Sequence, residues 1–231
     1  MAGSLALVVG ANRGIGLGVV ERLLAEGWSV VATARRPDEA RALRALADAH
    51  PDRVTLLTLE MNDPDSLDAC AAAMAGKTLD AVLINAGVSG PGHRSASKAT
   101  EAEIGSLMVT NAIAPIRLAR SLAGSVRKDT GVVAFVSSAM GSVASNAGGH
   151  ELYRASKAAL NSLTRGLWSE LRGRGLTVLT LHPGWVRTDM GGSAAPVSVE
   201  ESARGIVALL TKERGRHRHA FVDYKGAELA W

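Results

Sequence analysis

Tyr153 and Lys157 stand four residues apart, a spacing that places two side chains on one face of an α-helix. An unperturbed phenol has a pKa near ~10 and is a poor proton acceptor at neutral pH, but a neighbouring ammonium favours the phenolate. The pair could therefore act as a general acid and base, with Lys157 lowering the pKa of Tyr153. Taken alone, a Tyr-x-x-x-Lys pair is more often the solvated face of an amphipathic helix, so its context must decide.

The elements around the pair support the chemical interpretation. From Leu152 to Leu171, apolar residues recur at helical spacing, which predicts a helix that carries both side chains. The run Gly131–Val136 is apolar throughout, as is typical of a parallel strand buried on both faces. This strand delivers Ser137 and Ser138 to the carboxyl edge of the predicted sheet, where ligands bind in such folds.

A second motif that could bind a ligand lies near the start of the chain. The buried-strand run Leu5–Val9 is followed by Gly10, Gly14 and Gly16 and then by an apolar helix. Glycine-rich turns at helix N-termini bind phosphate, because their N–H groups point outward and the missing Cβ atoms allow close approach. The spacing G-x-x-x-G-x-G departs from the more familiar G-x-G-x-x-G of dinucleotide-binding folds.

The remaining pattern alternates strands with helices. Further strands are predicted at Trp28–Thr33, Val54–Leu59, Ala81–Ile84, Leu176–His182 and Ala220–Val222, and helices at Pro37–Ala49, at Thr100–Arg127 and after a capping box at Ser198–Glu201. Such alternation predicts an α/β fold, a doubly wound parallel sheet of about seven strands with helices on both faces. We expect one domain over residues 1–231 that combines dinucleotide binding and catalysis.

Composition narrows the class of protein. The 231 residues are 47% hydrophobic, enough for one sizeable core, and the net charge of +4 is spread along the chain, which does not indicate a nucleic-acid binder. The single Cys70 excludes an intrachain disulfide and fits a reducing compartment. We find no leader-like or membrane-spanning run and expect a cytoplasmic protein without a membrane partner. The histidines show no metal spacing, and His217 and His219 lie in a basic run that we expect to be solvated.

Taken in order, these motifs resemble the short-chain dehydrogenase/reductase family over nearly the whole chain. They are the glycine turn, Asn85-Ala86-Gly87, Asn111, Ser138, Tyr153 with Lys157, and Pro183-Gly184. Two further features look like the C-factor subgroup. The loop between Thr188 and Ser198, where many relatives insert a substrate lid, is short, and the ending runs from Phe221 to Trp231 in a pattern similar to that of the subgroup.

The resemblance implies roles for individual residues. Ser138 would bind the substrate oxygen, with Ser137 serving the backbone, Tyr153 would be the acid and base, and Asn111 would hold a water that connects to Lys157. Tyr153 and Lys157 would also touch the cofactor, together with residues of five segments: Gly10, Asn12, Arg13, Gly14, Ile15 and Gly16; Arg35 and Arg36; Glu60 and Met61; Asn85, Ala86 and Gly87; and Pro183, Gly184, Val186 and Thr188. No metal is expected.

Arg35 indicates which cofactor is bound. In dinucleotide-binding folds the residue about 20 positions beyond the glycines contacts the adenosine ribose, and an arginine there accommodates a 2′-phosphate. Arg35 stands at that position, Arg36 follows, and Arg13 in the glycine turn could reach the same anion. We therefore expect NADP(H) rather than NAD(H). The alternative is that Arg35 and Arg36 merely open a basic helix cap.

Two classes of function follow from this pattern. The first is an NADP(H)-dependent carbonyl reductase or alcohol dehydrogenase with a small carbonyl or alcohol substrate. The second is a C-factor-like signalling protein that binds dinucleotide with little turnover, whereas a nucleotide-sugar epimerase would need a larger substrate domain. The resemblance to the family also implies pairing through the Asn111 and Tyr153 helices, which would give a homodimer or homotetramer. Trp185 and Met190 are candidate pocket walls, His150 is read as an exposed loop residue, and Trp231 as a packing residue.

Overall fold

The computed structural model describes residues 3–231 and contains one parallel sheet. Its seven strands follow the order β3-β2-β1-β4-β5-β6-β7, and every neighbouring pair is parallel. The strands are β1 Leu5–Val9, β2 Ser29–Ala34, β3 Val54–Thr58, β4 Ala81–Ile84, β5 Val132–Val136, β6 Thr177–His182 and β7 His219–Asp223. The predicted fold class is confirmed.

Helices cover both faces of the sheet. They are α1 Gly14–Ala25, α2 Arg41–Ala49, α3 Pro64–Ala73, α4 Glu101–Met108, α5 Ala114–Leu122, α6 Glu151–Leu171 and α7 Val199–Lys212. One apolar core joins the sheet to α1, α2 and α7, and a second joins the opposite face to α3, α5 and α6. Because side chains alternate along each strand, central strands contribute to both cores and read as continuous apolar runs.

The long helix predicted at Thr100–Arg127 is interrupted. A wide π-helical turn at Val109–Ile113 separates α4 from α5. Pro115 lacks an N–H, so the carbonyl of Asn111, four residues earlier, loses its ordinary helical partner. The change of hydrogen-bond pattern at this point rotates the helix locally, as π-turns near functional sites commonly do.

Two other local predictions were only partly right. The helix predicted from Pro37 begins as a single tight turn at Pro37–Glu39, and α2 starts at Arg41. At α7 the Ser198 hydroxyl accepts from the N–H of Glu201, but the Glu201 carboxylate accepts from the Tyr224 hydroxyl at 2.7 Å. The second half of the capping box is therefore replaced by a contact with the segment after β7.

A buried carboxylate stabilises the amino edge of the sheet, at the start of β4. Asp80 is 2% exposed and accepts hydrogen bonds from Arg127 at 2.7 Å, from Arg214 and from the N–H of Leu5 at 3.0 Å. Burial alone would raise the pKa of Asp80, but the hydrogen bonds from Arg127 and Leu5 and the charge of Arg214 hold it below its usual value. This ionic cluster lies opposite the edge that carries the candidate site.

Within residues 3–231, every helix is too short or too polar to cross a membrane. The same residues contain no group of three or more histidine, cysteine or acidic side chains that could hold a metal ion.

Candidate active site

The two residues of the acid–base pair lie on α6 as their spacing predicts. The Nζ atom of Lys157 is 5.7 Å from the centre of the Tyr153 ring, and it donates a hydrogen bond to the carbonyl of Val136 at 2.8 Å. Val136 is the last residue of β5, so Lys157 joins α6 to the strand that carries the two serines. The Lys157 side chain is buried, and the residue is only 4% exposed.

Burial controls the protonation of both groups. It raises the pKa of the Tyr153 phenol, and the Ser138 hydroxyl, which faces the phenol, only partly opposes that shift. Burial lowers the pKa of Lys157 to about 8. The net shift in the pKa of Tyr153 thus runs opposite to the one expected from the sequence, because desolvation is its largest cause and Lys157 donates its hydrogen bond to a backbone carbonyl. Tyr153 is protonated at neutral pH.

Ser138 and Ser137 end β5 and point to different partners. The Ser138 hydroxyl accepts from the N–H of Met140 at 3.1 Å and faces Tyr153. The Ser137 hydroxyl donates to the side chain of Asn161 at 2.6 Å, and Asn161 in turn donates to the carbonyl of Gly141 at 3.2 Å. The expectation that Ser137 bonds the backbone is wrong, since a side chain on α6 receives its proton. Nothing in the sequence pattern singled out Asn161.

The Asn111 side chain contacts the site through the backbone of Val88. Its amide accepts from the N–H of Val88 at 2.8 Å and donates to the carbonyl of the same residue at 2.8 Å and to Ser156 at 3.0 Å. This paired contact fixes the chain just beyond β4. A Cβ added at Gly87 would lie 3.3 Å from the Asn111 side-chain oxygen and 3.5 Å from Lys157 Nζ, so Asn111, Gly87 and Lys157 meet at one point. A water bridge from Asn111 to Lys157 stays a prediction.

The glycine turn after β1 leaves an open cradle at the N-terminus of α1. Gly10 and Gly14 have positive φ angles of 79° and 56°. A Cβ at Gly16 would lie 2.1 Å from the carbonyl of Gly10, so only glycine fits there. The side chain of Asn85 donates to the same Gly10 carbonyl at 2.8 Å. These contacts hold the first N–H groups of α1 free of side-chain cover, a geometry that fits a pyrophosphate.

A cleft of about 430 Å³ lies beside the glycine turn at the end of β2. The residues that line it are Asn12, Ala34, Arg35, Arg36, Glu39, Ala40 and Glu60. Arg36 is held by Glu39 at 3.1 Å, whereas Arg35 is exposed and has no ion-pair partner within residues 3–231. The cleft therefore presents one free guanidinium at the position predicted for a 2′-phosphate.

Arg13 does not join this cleft. It pairs instead with Asp189, in the segment after β6, and both side chains are exposed. The sequence suggested that Arg13, inside the glycine turn, could reach the same anion as Arg35. An opposite charge from a distant segment takes up its guanidinium, a contact that spacing could not reveal.

The segment after β6 closes the other side of the glycine turn. A Cβ at Gly14 would lie 3.3 Å from the Thr188 methyl group, so Thr188 lies against the turn. The Thr188 hydroxyl accepts from the N–H of Gly191 at 3.1 Å. Val186 is buried, and Gly184 has a positive φ of 88°.

The two residues predicted to border the adenine follow β3. Met61 is buried, and the Glu60 carboxylate accepts from the N–H of Asn62 at 3.2 Å.

Large apolar side chains are exposed around the same edge. Trp185 and Met190 are each 56% exposed, and the Trp185 ring nitrogen donates to the carbonyl of Gly191 at 2.8 Å, which fixes the ring.

His150, which was expected to be an exposed loop residue, is half-buried. It has a positive φ of 50°, and its ring nitrogen Nε2 lies 3.3 Å from the guanidinium of Arg94.

The chain end packs as predicted, but one histidine does not stay in solvent. Trp231 packs on His219 and Phe221 with ring centres 4.7 and 5.3 Å apart. His219 is half-buried in β7, and burial lowers its pKa to about 4, so its ring is neutral against the two aromatic side chains. The expectation of a solvated His219 is wrong because β7 extends one residue further toward the N-terminus than its apolar run.

Comparison with known proteins gives consistent matches. The family model of the short chain dehydrogenases matches residues 4–197. The C-signal protein of Myxococcus xanthus is 37% identical over 155 residues, which span 66% of this chain and 93% of that protein. A Burkholderia multivorans protein solved with bound NADP is 38% identical, with a TM-score of 0.94 and 99% of each chain covered. A carbonyl reductase of Pseudomonas aeruginosa in complex with NADP is 43% identical, with a TM-score of 0.92, 99% of this chain and 100% of the other.

Proposed function

The chain belongs to the short-chain dehydrogenase family, and on this premise we propose that it is an NADP(H)-dependent carbonyl reductase or alcohol dehydrogenase. The observation that carries the proposal is the meeting of Ser138, Tyr153 and Lys157 beside the glycine turn, at the carboxyl edge of the sheet. In an open α/β sheet this edge is where ligands bind. One domain then serves for both binding and catalysis.

The residues of the cleft fit NADP(H). The turn from Gly10 to Gly16 would hold the pyrophosphate, since its glycines leave the N–H groups of α1 accessible. Arg35 would bind the 2′-phosphate, because it is the guanidinium in the cleft that has no carboxylate partner in the described chain. Two similar proteins, from Burkholderia multivorans and Pseudomonas aeruginosa, were solved with NADP.

The other predicted contacts divide the cofactor between segments. Glu60 and Met61 would border the adenine, the Asn85–Gly87 turn would lie along the middle of the cofactor, and the Pro183–Thr188 segment would hold the nicotinamide end. Their common position around the glycine turn supports this division.

Bound NADPH would supply the hydride that reduces the substrate carbonyl. The Ser138 hydroxyl would donate a hydrogen bond to the carbonyl oxygen, and Tyr153 would give that oxygen its proton. Because burial raises the pKa of Tyr153, its phenol carries a proton at neutral pH, as an acid in the reducing direction must. Lys157 would then return a proton to Tyr153.

A pH dependence follows from Lys157. Its pKa of about 8 means that the ammonium loses its proton as the pH rises through that value. Carbonyl reduction should therefore be fastest below about pH 8 and decline above it, when Lys157 can no longer resupply the proton.

The open mouth of the site favours an apolar carbonyl substrate. The segment between Thr188 and α7 consists of turns and adds no helical lid. Trp185 and Met190 present apolar surface there, and the burial of such surface by a substrate contributes about 25 cal/mol per Å². A homodimer or homotetramer and a cytoplasmic location stay predictions from the sequence.

An NADPH-consumption assay with a panel of aldehydes, ketones and quinones tests the proposal. We expect turnover with the wild-type protein and its loss in Tyr153→Phe, which should still bind NADPH. The matched control is Tyr224→Phe, which removes the hydroxyl of the chain's other tyrosine at a site bonded to Glu201. NADPH binding without turnover on any carbonyl would favour the alternative of a C-factor-like signalling protein.

A further inference from the structure

The loop of residues 139–149 connects the two halves of the candidate active site. It leaves Ser138 at the end of β5 and returns to α6 just before Tyr153. Residues 143–149 are all exposed, and Gly148 and Gly149 have positive φ angles of 84° and 68°. A Cβ added at either glycine would meet nothing within 4 Å, so these glycines supply backbone freedom rather than space.

Few contacts hold this loop to the rest of the protein. Within residues 3–231, hydrogen bonds tie its exposed part to other segments at two places. The N–H of Ala144 donates to the carbonyl of Trp231 at 3.0 Å, and the Arg154 guanidinium donates to the loop's last two carbonyls. A glycine-containing exposed loop with so few contacts samples other conformations unless a specific contact closes it.

Arg154 bonds both ends of the loop from the helix that carries Tyr153. Its Nε–H is shared by the carbonyls of Gly148 and Gly149 at 3.0 and 2.9 Å, and its Nη1 lies 3.5 Å from the carbonyl of Met140. Met140 also donates its N–H to the Ser138 hydroxyl at 3.1 Å. Arg154 is thus connected to the proposed substrate-binding hydroxyl through a single residue.

The chemistry of arginine suits a side chain that bonds three carbonyls at once. A guanidinium offers five N–H donors in a rigid planar fork, whereas a lysine offers one flexible ammonium. Arg154 is half-buried, and no carboxylate lies within ion-pair distance of it in the described part of the chain, so its donors serve the three carbonyls. Its neighbour Tyr153 stands on the same rigid helix, which fixes the loop relative to the proton donor.

We propose that Arg154 is a positioning residue that clasps the 139–149 loop beside the carbonyl substrate and so sets how Ser138 and the substrate face Tyr153. The proposal rests on the proposed reductase function. It assigns no chemical step to Arg154, which acts through Met140 and the loop backbone.

The variants Arg154→Ala and Arg154→Lys test the clasp. Misplacing a reacting group by about 1 Å can cost about 100-fold in rate, so we expect kcat/KM for a carbonyl substrate to fall by roughly 10- to 100-fold in Arg154→Ala, with an unchanged Kd for NADPH. Arg154→Lys should show a smaller fall, because its ammonium still donates hydrogen bonds but lacks the planar fork that reaches three carbonyls. Amide hydrogen exchange over residues 143–149 should speed up in the same order. The control is Arg204→Ala, an exposed arginine of α7.

The outcomes separate the possible errors. If Arg154→Ala merely damaged the fold, kcat/KM would fall only in proportion to the fraction of protein that still binds NADPH, and this result would overturn the proposal. Unchanged exchange over residues 143–149 would also overturn it, whatever the kinetics. If the wild-type protein reduced no carbonyl, the proposed function would fall, and the exchange data would still show whether Arg154 closes the loop. Should Arg154→Ala not fold, Arg154→Lys gives the same readouts.

Discussion

Replacing Lys157 with methionine should stabilise the fold near pH 7 while removing its chemistry. Burial lowers the pKa of Lys157 from 10.5 to about 8, and each pKa unit corresponds to about 1.4 kcal/mol, so keeping this charge buried costs about 3 kcal/mol. The variant also loses the hydrogen bond from Nζ to the Val136 carbonyl, which contributes roughly 1.5–3 kcal/mol because the donor is charged. We expect the free energy of unfolding to rise by about 1 kcal/mol.

The pH dependence of this difference gives the sharper test. Because the pKa of Lys157 is lowered in the folded protein, the folded state binds fewer protons than the unfolded state between about pH 8 and pH 10.5. The free energy of unfolding of the wild-type protein therefore increases as the pH rises through that window. The methionine variant has no titrating group at this position, so its stability lacks this increase. The advantage of Lys157→Met should shrink by about 2.5 kcal/mol between pH 7 and pH 10 and change sign.

Urea unfolding of both proteins at pH 7 and pH 10 measures this effect. Titrating groups that the two proteins share cancel when their free energies of unfolding are subtracted. Lys212→Met, at an exposed lysine that ends α7, is the control and should show no such change with pH. Two results would refute the reasoning: a variant less stable than wild type at pH 7, or a difference that does not vary with pH. Either would mean that the Lys157 ammonium is not held in a desolvated environment.

Three further predictions address other parts of the structure. Arg35→Asp should weaken NADPH binding by at least about ten-fold and leave NADH binding nearly unchanged, as measured by fluorescence titration; equal losses would remove the 2′-phosphate assignment. Asp80→Asn should lower the free energy of unfolding by about 3 kcal/mol at pH 7, because two arginines lose their buried partner. The pKa of Asp80 is lowered in the fold, so this loss should fade in urea titrations as the pH falls through the lowered pKa of the folded carboxyl, where the wild-type side chain also becomes protonated. Gly141→Ala places a Cβ 2.9 Å from the Lys157 backbone, so kcat should fall with little change in the Kd for NADPH, and full activity would show that α6 shifts freely.

The sequence predicted the sheet well because most strands are short apolar runs buried on both faces, although the edge strand β3 is only partly buried. β1 at Leu5–Val9 and β4 at Ala81–Ile84 have the predicted bounds, and each of the other strands differs by one residue at one or both ends. The prediction of the edge strand β7 was the least complete. His219 and Asp223 pair with β6 at the two ends of this strand, but they are polar and lie outside the apolar run from which the strand was predicted. Apolar periodicity reports burial, and it says little about polar residues at the ends of strands.

The site was predicted where a motif has a fixed backbone geometry. Ser138, Tyr153 and Lys157 lie together because strand ends and helix spacing dictate their positions. Contacts between segments distant in the chain could not be predicted. The clasp of Arg154, the hydrogen bond of Asn161 and the pairing of Arg13 depend on where loops fold back, which neither spacing nor composition specifies.

In the proposed reaction, the cluster of Ser138, Tyr153 and Lys157 reduces a carbonyl with hydride from NADPH. The most direct measurement uses NADPH deuterated at the transferred position and mass analysis of the alcohol product. We expect deuterium on the carbinol carbon with wild-type protein and none with Tyr153→Phe, although both should bind NADPH. Tight NADPH binding without deuterium transfer to any carbonyl, or equal transfer by both proteins, would contradict it.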